Sequence, residues 1–268
     1  MSDPRSHFDA LYRLRNRLGP PLRPNEEVID AYRRLVSGHG ARVLLLGMTA
    51  GLADIGDEVD AVDKNPAAIA RAWPGDDERR RAHRADWLAL PFPARRFTAA
   101  VGDGALNSVG HLRDYAALFA ELDRVLEPGA PLVTRIYATP APCETVAAVR
   151  AAAMAGAIPV FNALKWRLAM ALVAEAGSPD IEVGGIKAAF DRLFPDRAAL
   201  AAAARWEIED IDTIDVYAGS SAVYSFPTLA EVRATVPASL GEMQVVPAGT
   251  YPLAERCPLL LLRKGERR

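Results

Sequence analysis

The chain has 268 residues, half of them hydrophobic and a quarter charged, which suits a globular protein with one large α/β domain and room for an insertion. Its formal net charge of −2 excludes a general cationic field that would attract nucleic acid or an anionic membrane. Cys143 and Cys257 lie far apart without metal-ligand spacing, so we expect free thiols, no metal site and a cytoplasmic location.

The first predicted elements are two helices. Leu11, Leu14 and Leu18 share one helical face, and the segment GPPLRP then breaks the chain. Asn25 is a suitable N-cap for the helix EEVIDAYRRLVS, which begins with two acids where the helix dipole favours them and ends near Gly38.

Strands and helices alternate over the next hundred residues. The runs ARVLLLG, FTAAVGDG and APLVTRIYA predict buried strands, EVDAVD predicts another, and the polar RAHRAD predicts a short strand at a sheet edge. NPAAIARAW and HLRDYAALFAELDRVL predict the intervening helices. Alternation from residue 25 to about 138 predicts an α/β fold with a doubly wound, mostly parallel sheet.

The alternation stops after residue 138. Residues 139–225 are rich in alanine and predict several helices, with Trp166 and Trp206 in their core. TLAEVRATV predicts a further helix, and EMQVVPAGTYPL with CPLLLLRK predicts a closing hairpin that brings the sheet to seven strands. We therefore expect a cofactor-binding core in residues 1–138, a helical insertion after the fifth strand in 139–225, and a closing unit in 226–268.

Three acids follow predicted strands, at the sheet edge where ligands bind in parallel sheets. Asp63 ends the second strand, where a carboxylate can accept hydrogen bonds from both hydroxyls of a ribose. Asp86 follows the third strand and is placed to accept from the exocyclic amine of adenine. Asp103 ends the fourth strand, either as a wall of the pocket or as the cap of a turn.

Four stretches resemble the class I S-adenosylmethionine-dependent methyltransferases: VLLLGMTAG, VDAVDKNPAAI, ADWLALPF and FTAAVGDGALN. The resemblance covers Val43 to about Tyr137 and implies a Rossmann-like fold, S-adenosyl-L-methionine as the cofactor and methyl transfer as the activity. The residues that it assigns to the cofactor are Gly47, Met48, Thr49, Gly51, Asp63, Lys64, Asp86, Trp87, Asp103 and Gly104.

The glycine-rich loop departs from the family pattern, because Met48, Thr49 and Ala50 stand where the middle glycine is usual. The short distance from Gly47 to Asp63 predicts that the first helix is reduced to about one turn. Such a loop suits a pyrophosphate poorly, because a pyrophosphate needs close backbone approach at a helix N-terminus. An NAD(P)-dependent oxidoreductase is therefore the less favoured alternative.

The N-terminal segment and the acceptor side of the pocket contribute further candidates. Arg23 is placed to bind the cofactor's carboxylate, or is a solvated arginine in a turn. We predict that Asn107, Arg135 and Tyr137 line the substrate side, with packing under the insertion as the alternative for the last two. His111, at a helix start, is a candidate general base or a substrate-orienting donor, with a surface position as the alternative.

The predicted acceptor is a small molecule with an O, N or S nucleophile, because the chain is slightly acidic. It also lacks the Asn/Asp-Pro-Pro-Tyr/Phe/Trp run of enzymes that methylate amino groups of nucleic acids. We expect neither a nucleic acid nor a membrane as partner. A binding protein that kept the cofactor fold without the chemistry is the alternative, because the glycine loop is degenerate.

Overall fold

The computed structural model describes residue 14 and residues 17–266, so the helix expected around Leu11 lies outside the described residues. The strands of the described chain are β1 Arg42–Leu46, β2 Glu58–Asp63, β3 Arg80–Arg84, β4 Ala99–Asp103, β5 Pro131–Arg135, β6 Asp180–Glu182, β7 Val223–Ser225, β8 Gln244–Val246 and β9 Leu259–Arg263. Seven of them form one sheet in the order β3-β2-β1-β4-β5-β9-β8. Strands β1 to β5 are parallel, whereas β9 is antiparallel to both β5 and β8. The predicted doubly wound, mostly parallel seven-stranded sheet is confirmed.

The α-helices within the described residues are α1 Glu26–Val36, α2 Pro66–Ala72, α3 Ala105–Ser108, α4 Tyr115–Val125, α5 Val146–Met154, α6 Phe161–Ala176, α7 Val183–Leu193, α8 Arg197–Ala204, α9 Ile208–Asp212 and α10 Leu229–Thr235. Short 3₁₀ turns add Ala50–Leu52, Leu112–Asp114, Thr213–Tyr217, Ala238–Leu240 and Ala254–Arg256. None of these helices is both long and apolar enough to cross a membrane.

Helix starts follow the capping residues in the sequence. The Asn25 side chain accepts from Val28 N at 3.2 Å, which begins α1. Asn65 accepts from Ala67 N at 2.9 Å and Pro66 holds the first position of α2, as its fixed φ favours. The helix predicted from His111 begins instead as the 3₁₀ turn, and α4 follows it.

The sheet is covered on both faces, which explains why its central strands are continuous apolar runs. One core joins the sheet to α1 and to the helices of residues 139–225, and the other joins it to α4 and α10. Residues 139–225 contain α5 to α9, as predicted, and also an antiparallel pair of short strands, β6 and β7, that was not predicted. Strand β5 ends at Arg135, so Tyr137 lies just beyond it.

Candidate active site

A cavity of about 460 Å³ lies beyond the carboxyl ends of β1, β2 and β4, where the strand order reverses. Among the residues predicted for the site, those that line it are Arg23, Gly47, Met48, Thr49, Gly51, Asp63, Lys64, Asp86, Trp87, Asp103, Gly104, Asn107 and Tyr137. His111 and Arg135 are not among its lining residues. The residues that the resemblance assigned to the cofactor are thus brought to one place.

The loop after β1 is narrow and tightly packed. Gly47 has a φ of 88°, a conformation that favours glycine, and its N–H donates to Val62 O at 2.8 Å. The first helix is the single 3₁₀ turn Ala50–Leu52, as the sequence predicted. A Cβ added to Gly51 would lie 2.9 Å from Ile29 Cδ1, so this glycine lets α1 pack against the loop.

Asp63 is the most buried acid on the cofactor side of the cavity. Its Oδ1 accepts from Asn65 N at 2.8 Å. Burial raises the pKa of Asp63 to about 6, although the hydrogen bond from Asn65 and the charge of Lys64 act in the opposite direction. The carboxylate therefore gains or loses its charge close to physiological pH.

Asp86 and Trp87 form the neighbouring edge of the cavity. Asp86 is half-exposed, its Oδ1 accepts from Leu88 N at 3.0 Å, and its Oδ2 lies 3.5 Å from Lys64 Nζ. The Trp87 indole N–H donates to Val62 O at 2.6 Å, which fixes the ring beside the loop of β1. An adenine-sized ring therefore has an apolar surface and a carboxylate side by side.

Arg135 does not reach the cavity, so its predicted place on the substrate side is wrong. Asp103 and Arg135 are partners in the parallel register of β4 and β5, and their side chains form a two-pronged ion pair. Arg135 Nε lies 2.6 Å from Asp103 Oδ1, and a terminal nitrogen lies 3.0 Å from Oδ2. The guanidinium also donates to Tyr251 Oη at 3.0 Å and to Tyr137 Oη at 3.2 Å. Asp103 thus presents a neutralised carboxylate to the cavity.

Asn107 lines the cavity, but its side chain is fully engaged within the protein. Its amide nitrogen donates to Tyr137 O at 2.9 Å and to Ser225 O at 2.7 Å. Its Oδ1 accepts from Tyr137 N at 2.9 Å. The side chain therefore joins α3 to the exit of β5 and to β7, and it has little capacity left for a substrate.

We expect Asn107→Leu to lower the free energy of unfolding by about 3 kcal/mol or more. The substitution leaves three buried backbone groups without their hydrogen-bond partner, at a cost of about 1–3 kcal/mol each. Urea denaturation of both proteins measures this. Asn162→Leu is the matched control, because Asn162 is also buried but, within residues 14 and 17–266, donates only one long bond, 3.4 Å to Gly19 O. Equal losses in the two variants would contradict the special position of Asn107.

His111 lies at the base of α4 but turns away from the cavity. Its Nδ1 lies 3.0 Å from Asp180 Oδ2, and the other oxygen of that carboxylate accepts from Leu112 N at 3.0 Å. The prediction that His111 borders the pocket is wrong, because Asp180 of β6 holds its ring.

The remaining wall of the cavity was missed by the sequence analysis. Four aromatic residues of the insertion and of the chain just beyond it complete the lining: Trp166, Tyr217, Tyr224 and Phe226. Trp166 is only 3% exposed, so its predicted core position is correct, yet it also faces the ligand space. The run VYSF at residues 223–226 was the available signal, because two aromatics alternate there on a short strand.

Comparison with known protein families identifies the domain that contributes much of this cavity. Residues 46–134 match a family described as a methyltransferase domain. The match runs from the last residue of β1 into β5 and includes the loops after β1, β2, β3 and β4. Residues 46–134 therefore form a methyltransferase domain of Rossmann-like fold. The family recognised from the four sequence stretches is thereby confirmed, and methyltransferase is the enzyme class.

Solved structures share this methyltransferase's fold at low sequence identity. A SAM-dependent methyltransferase from Methanosarcina mazei is 14% identical with a TM-score of 0.51, covering 91% of this chain and 100% of its own. One from Mesorhizobium loti is 17% identical with a TM-score of 0.51, covering 90% and 99%. A Rhodobacter sphaeroides protein provisionally named a zinc-dependent alcohol dehydrogenase is 12% identical with a TM-score of 0.56, covering 100% of both chains.

These identities show the fold alone. Residues 14 and 17–266 contain no cluster of three His, Cys, Asp or Glu side chains able to hold a metal ion. No curated protein sequence matches the chain significantly.

Proposed function

We propose that the chain transfers a methyl group from S-adenosyl-L-methionine to an O, N or S atom of a small molecule held in the cavity described above. The supporting observation is that one cavity joins the glycine loop, Asp63 and Trp87 to the aromatic residues of the insertion. Such a space suits a cofactor and a small acceptor better than a macromolecule. The cytoplasmic location expected from the two cysteines stays a prediction.

The residues present fit the cofactor's groups. Asp63 uses one oxygen for Asn65, and its Oδ2 has no hydrogen-bond partner among the described residues, so it can accept from a ribose hydroxyl. Asp86 and Trp87 offer an acceptor and an apolar face to adenine. Arg23 lines the same cavity from the N-terminal segment and is proposed to meet the cofactor's carboxylate. The one-turn 3₁₀ segment offers no helix terminus for a pyrophosphate.

When bound, S-adenosylmethionine supplies an activated methyl group, whose carbon bonds to the acceptor's lone pair as its bond to sulfur breaks and S-adenosylhomocysteine leaves. The chain's own contribution is to hold the two reactants in line and to exclude water, since no histidine lies in the cavity's described lining. Both oxygens of Asp103 already accept hydrogen bonds from Arg135. We therefore expect the acceptor's proton to pass to bulk solvent, outside the water-excluding site, when the product leaves.

Calorimetric titration tests the proposal directly. We expect S-adenosylmethionine and S-adenosylhomocysteine to bind with one site per chain, while NAD⁺ and NADP⁺ do not bind. Mass spectrometry of the purified protein is the parallel measurement, with a co-purified S-adenosyl compound as the expected result. Tight binding of a nicotinamide nucleotide, or no binding of either S-adenosyl compound, would overturn the proposal.

We further expect residues 139–225 to act as the cover of the site and to choose the acceptor. The reason is that Trp166 and Tyr217 belong to this segment and line the cavity. Hydrogen exchange should therefore slow in α6 and in the 3₁₀ turn Thr213–Tyr217 when S-adenosylhomocysteine binds. Helix α8, which contributes no lining residue, is the internal control. Protection confined to the sheet edge would contradict the covering role.

A further inference from the structure

Building on the proposed function, we propose that the methyl acceptor is an uncharged aromatic compound of about one ring, bound against a continuous wall of aromatic side chains. This aromatic wall consists of Tyr137, Trp166, Tyr217, Tyr224 and Phe226, all of which line the cavity. They come from four separate parts of the chain: the exit of β5, helix α6, the 3₁₀ turn after α9, and β7 with the residue after it.

The rings form one connected surface. Trp166 lies at its centre, with ring-centroid distances of 5.1 Å to Tyr137, 5.2 Å to Phe226 and 6.0 Å to Tyr224. Tyr217 extends the surface, with its ring 6.4 Å from that of Tyr224. These edge-to-face and tilted packings fix each ring against its neighbours, so the wall is formed before a ligand arrives.

Charge is concentrated elsewhere in the cavity. The ionisable residues of its described lining are Arg23, Glu26, Asp63, Lys64, Asp86 and Asp103. Asp63, Lys64 and Asp86 belong to the ends of β2 and β3, on the cofactor side. Asp103 lies beside the aromatic wall, since its partner Arg135 also donates to Tyr137, and this ion pair is already satisfied. The wall itself contributes no charged group.

This distribution selects against a charged acceptor. A carboxylate against the wall would lose its hydration and meet the negative faces of the rings. An ammonium group would compete with the guanidinium of Arg135 and the amine of Lys165, which already lie 5.4 Å from the Tyr137 centroid and 5.7 Å from the Tyr217 centroid. A protonated amine also has no lone pair for the methyl group, and it would lie beside the cofactor's own positive sulfur. A neutral ring instead gains face and edge contacts with Trp166 and its neighbours. The shared volume of about 460 Å³ limits the acceptor to a small one, because the cofactor must occupy much of it.

Three phenols of matched skeleton test the proposal: 4-ethylphenol is neutral, tyramine carries an ammonium group, and 4-hydroxyphenylacetate carries a carboxylate. Each is titrated calorimetrically into the protein saturated with S-adenosylhomocysteine at pH 7.5. We expect 4-ethylphenol to bind at least tenfold more tightly than either charged analogue. Equal or tighter binding of a charged analogue, or no binding of any of the three, would overturn the proposal.

Two tryptophans of the insertion supply a matched pair of variants. Trp166→Leu is expected to weaken 4-ethylphenol binding at least fivefold while S-adenosylhomocysteine still binds, and Trp166→Phe is expected to restore most of the loss. Trp206→Leu is the control, because Trp206 lies outside the cavity and donates its indole N–H to Pro159 O at 3.2 Å. Equal weakening in Trp206→Leu and Trp166→Leu would refute the aromatic wall.

The two proposals fail differently. If S-adenosylhomocysteine does not bind, the proposed methyl transfer is wrong. The same three phenols are then titrated into the protein alone, where the order of their affinities still shows whether the aromatic wall prefers a neutral ring. If S-adenosylhomocysteine binds and the ranking is reversed, methyl transfer stands and the aromatic acceptor does not.

Discussion

Asp63→Asn is expected to weaken S-adenosylmethionine binding at least tenfold and to remove most of its dependence on pH between about 5 and 7. The amide keeps the size of the side chain and the hydrogen bond from Asn65 N, but it loses the charge that strengthens a bond from a ribose hydroxyl. In the unchanged protein, burial raises the pKa of Asp63 to about 6. Below that pH the acid is protonated in the free protein, so affinity should fall about tenfold for each further pH unit.

Calorimetry from pH 5 to pH 8 measures both effects. Asp54→Asn is the control, since Asp54 is an exposed acid whose partner is Arg80, outside the cavity. This variant should keep the affinity and the pH profile of the unchanged protein. Unchanged affinity in the Asp63→Asn protein would show that Asp63 does not bind the cofactor. If this variant loses the circular dichroism spectrum of the folded protein, Asp63→Ser is measured in its place.

The position of Asp63 could be predicted because strand alternation alone places it. Apolar runs that end in an acid mark the carboxyl end of a strand, and all parallel strands present that end to the same edge. The same argument placed Gly47, Asp86 and Asp103 correctly around the cavity. Capping residues fixed the starts of α1 and α2 for an equally local reason, the unpaired N–H groups of a first helical turn.

The acceptor side could not be predicted in the same way, because it depends on which side chains pair across the sequence. Arg135 lies in the expected strand, yet its partner is Asp103, 32 positions away, and the ion pair keeps its side chain out of the cavity. His111 is likewise held by Asp180, 69 positions away. No local sequence pattern predicts either of these two side-chain pairs. Strands β6 and β7 have only three residues each, too few for an alternating pattern to stand out.

The insertion also contains a buried lysine that the sequence analysis gave no role. Lys165 of α6 is fully buried beside Trp166, and its Nζ lies between the rings of Phe161 and Tyr217 at 5.4 and 5.7 Å from their centroids. Its amine donates a long hydrogen bond, 3.5 Å, to Thr213 Oγ1. Burial lowers the pKa of Lys165 to about 7, although the charge of Asp210 acts in the opposite direction.

Lys165→Met is therefore expected to stabilise the protein at neutral pH, by up to about 4 kcal/mol, because a shift of one pKa unit corresponds to about 1.4 kcal/mol. Above pH 10.5 the amine is neutral in both the folded and the unfolded chain, and burial carries no protonation penalty. As the pH falls from 10.5 to about 7, only the unfolded chain binds the proton, so the free energy of unfolding falls steadily. Below about pH 7 both states are protonated, and the free energy of unfolding falls no further on this account. The gain from Lys165→Met should accordingly be largest at and below pH 7 and fade towards pH 10.5.

Urea denaturation at pH 6, 7.5 and 9 measures this trend in the free energy of unfolding. Lys187→Met is the matched control, because Lys187 also lies in the insertion but pairs with Asp191 and, at 3.3 Å, with Asp215. Its removal breaks ion pairs and should give no gain at any of the three pH values. A Lys165→Met protein that is less stable than the unchanged chain by the same amount at all three would mean that the amine is charged and solvated in the folded state. Burial would then not lower the pKa of Lys165. The insertion would in that case carry a positive charge beside the ring of Tyr217.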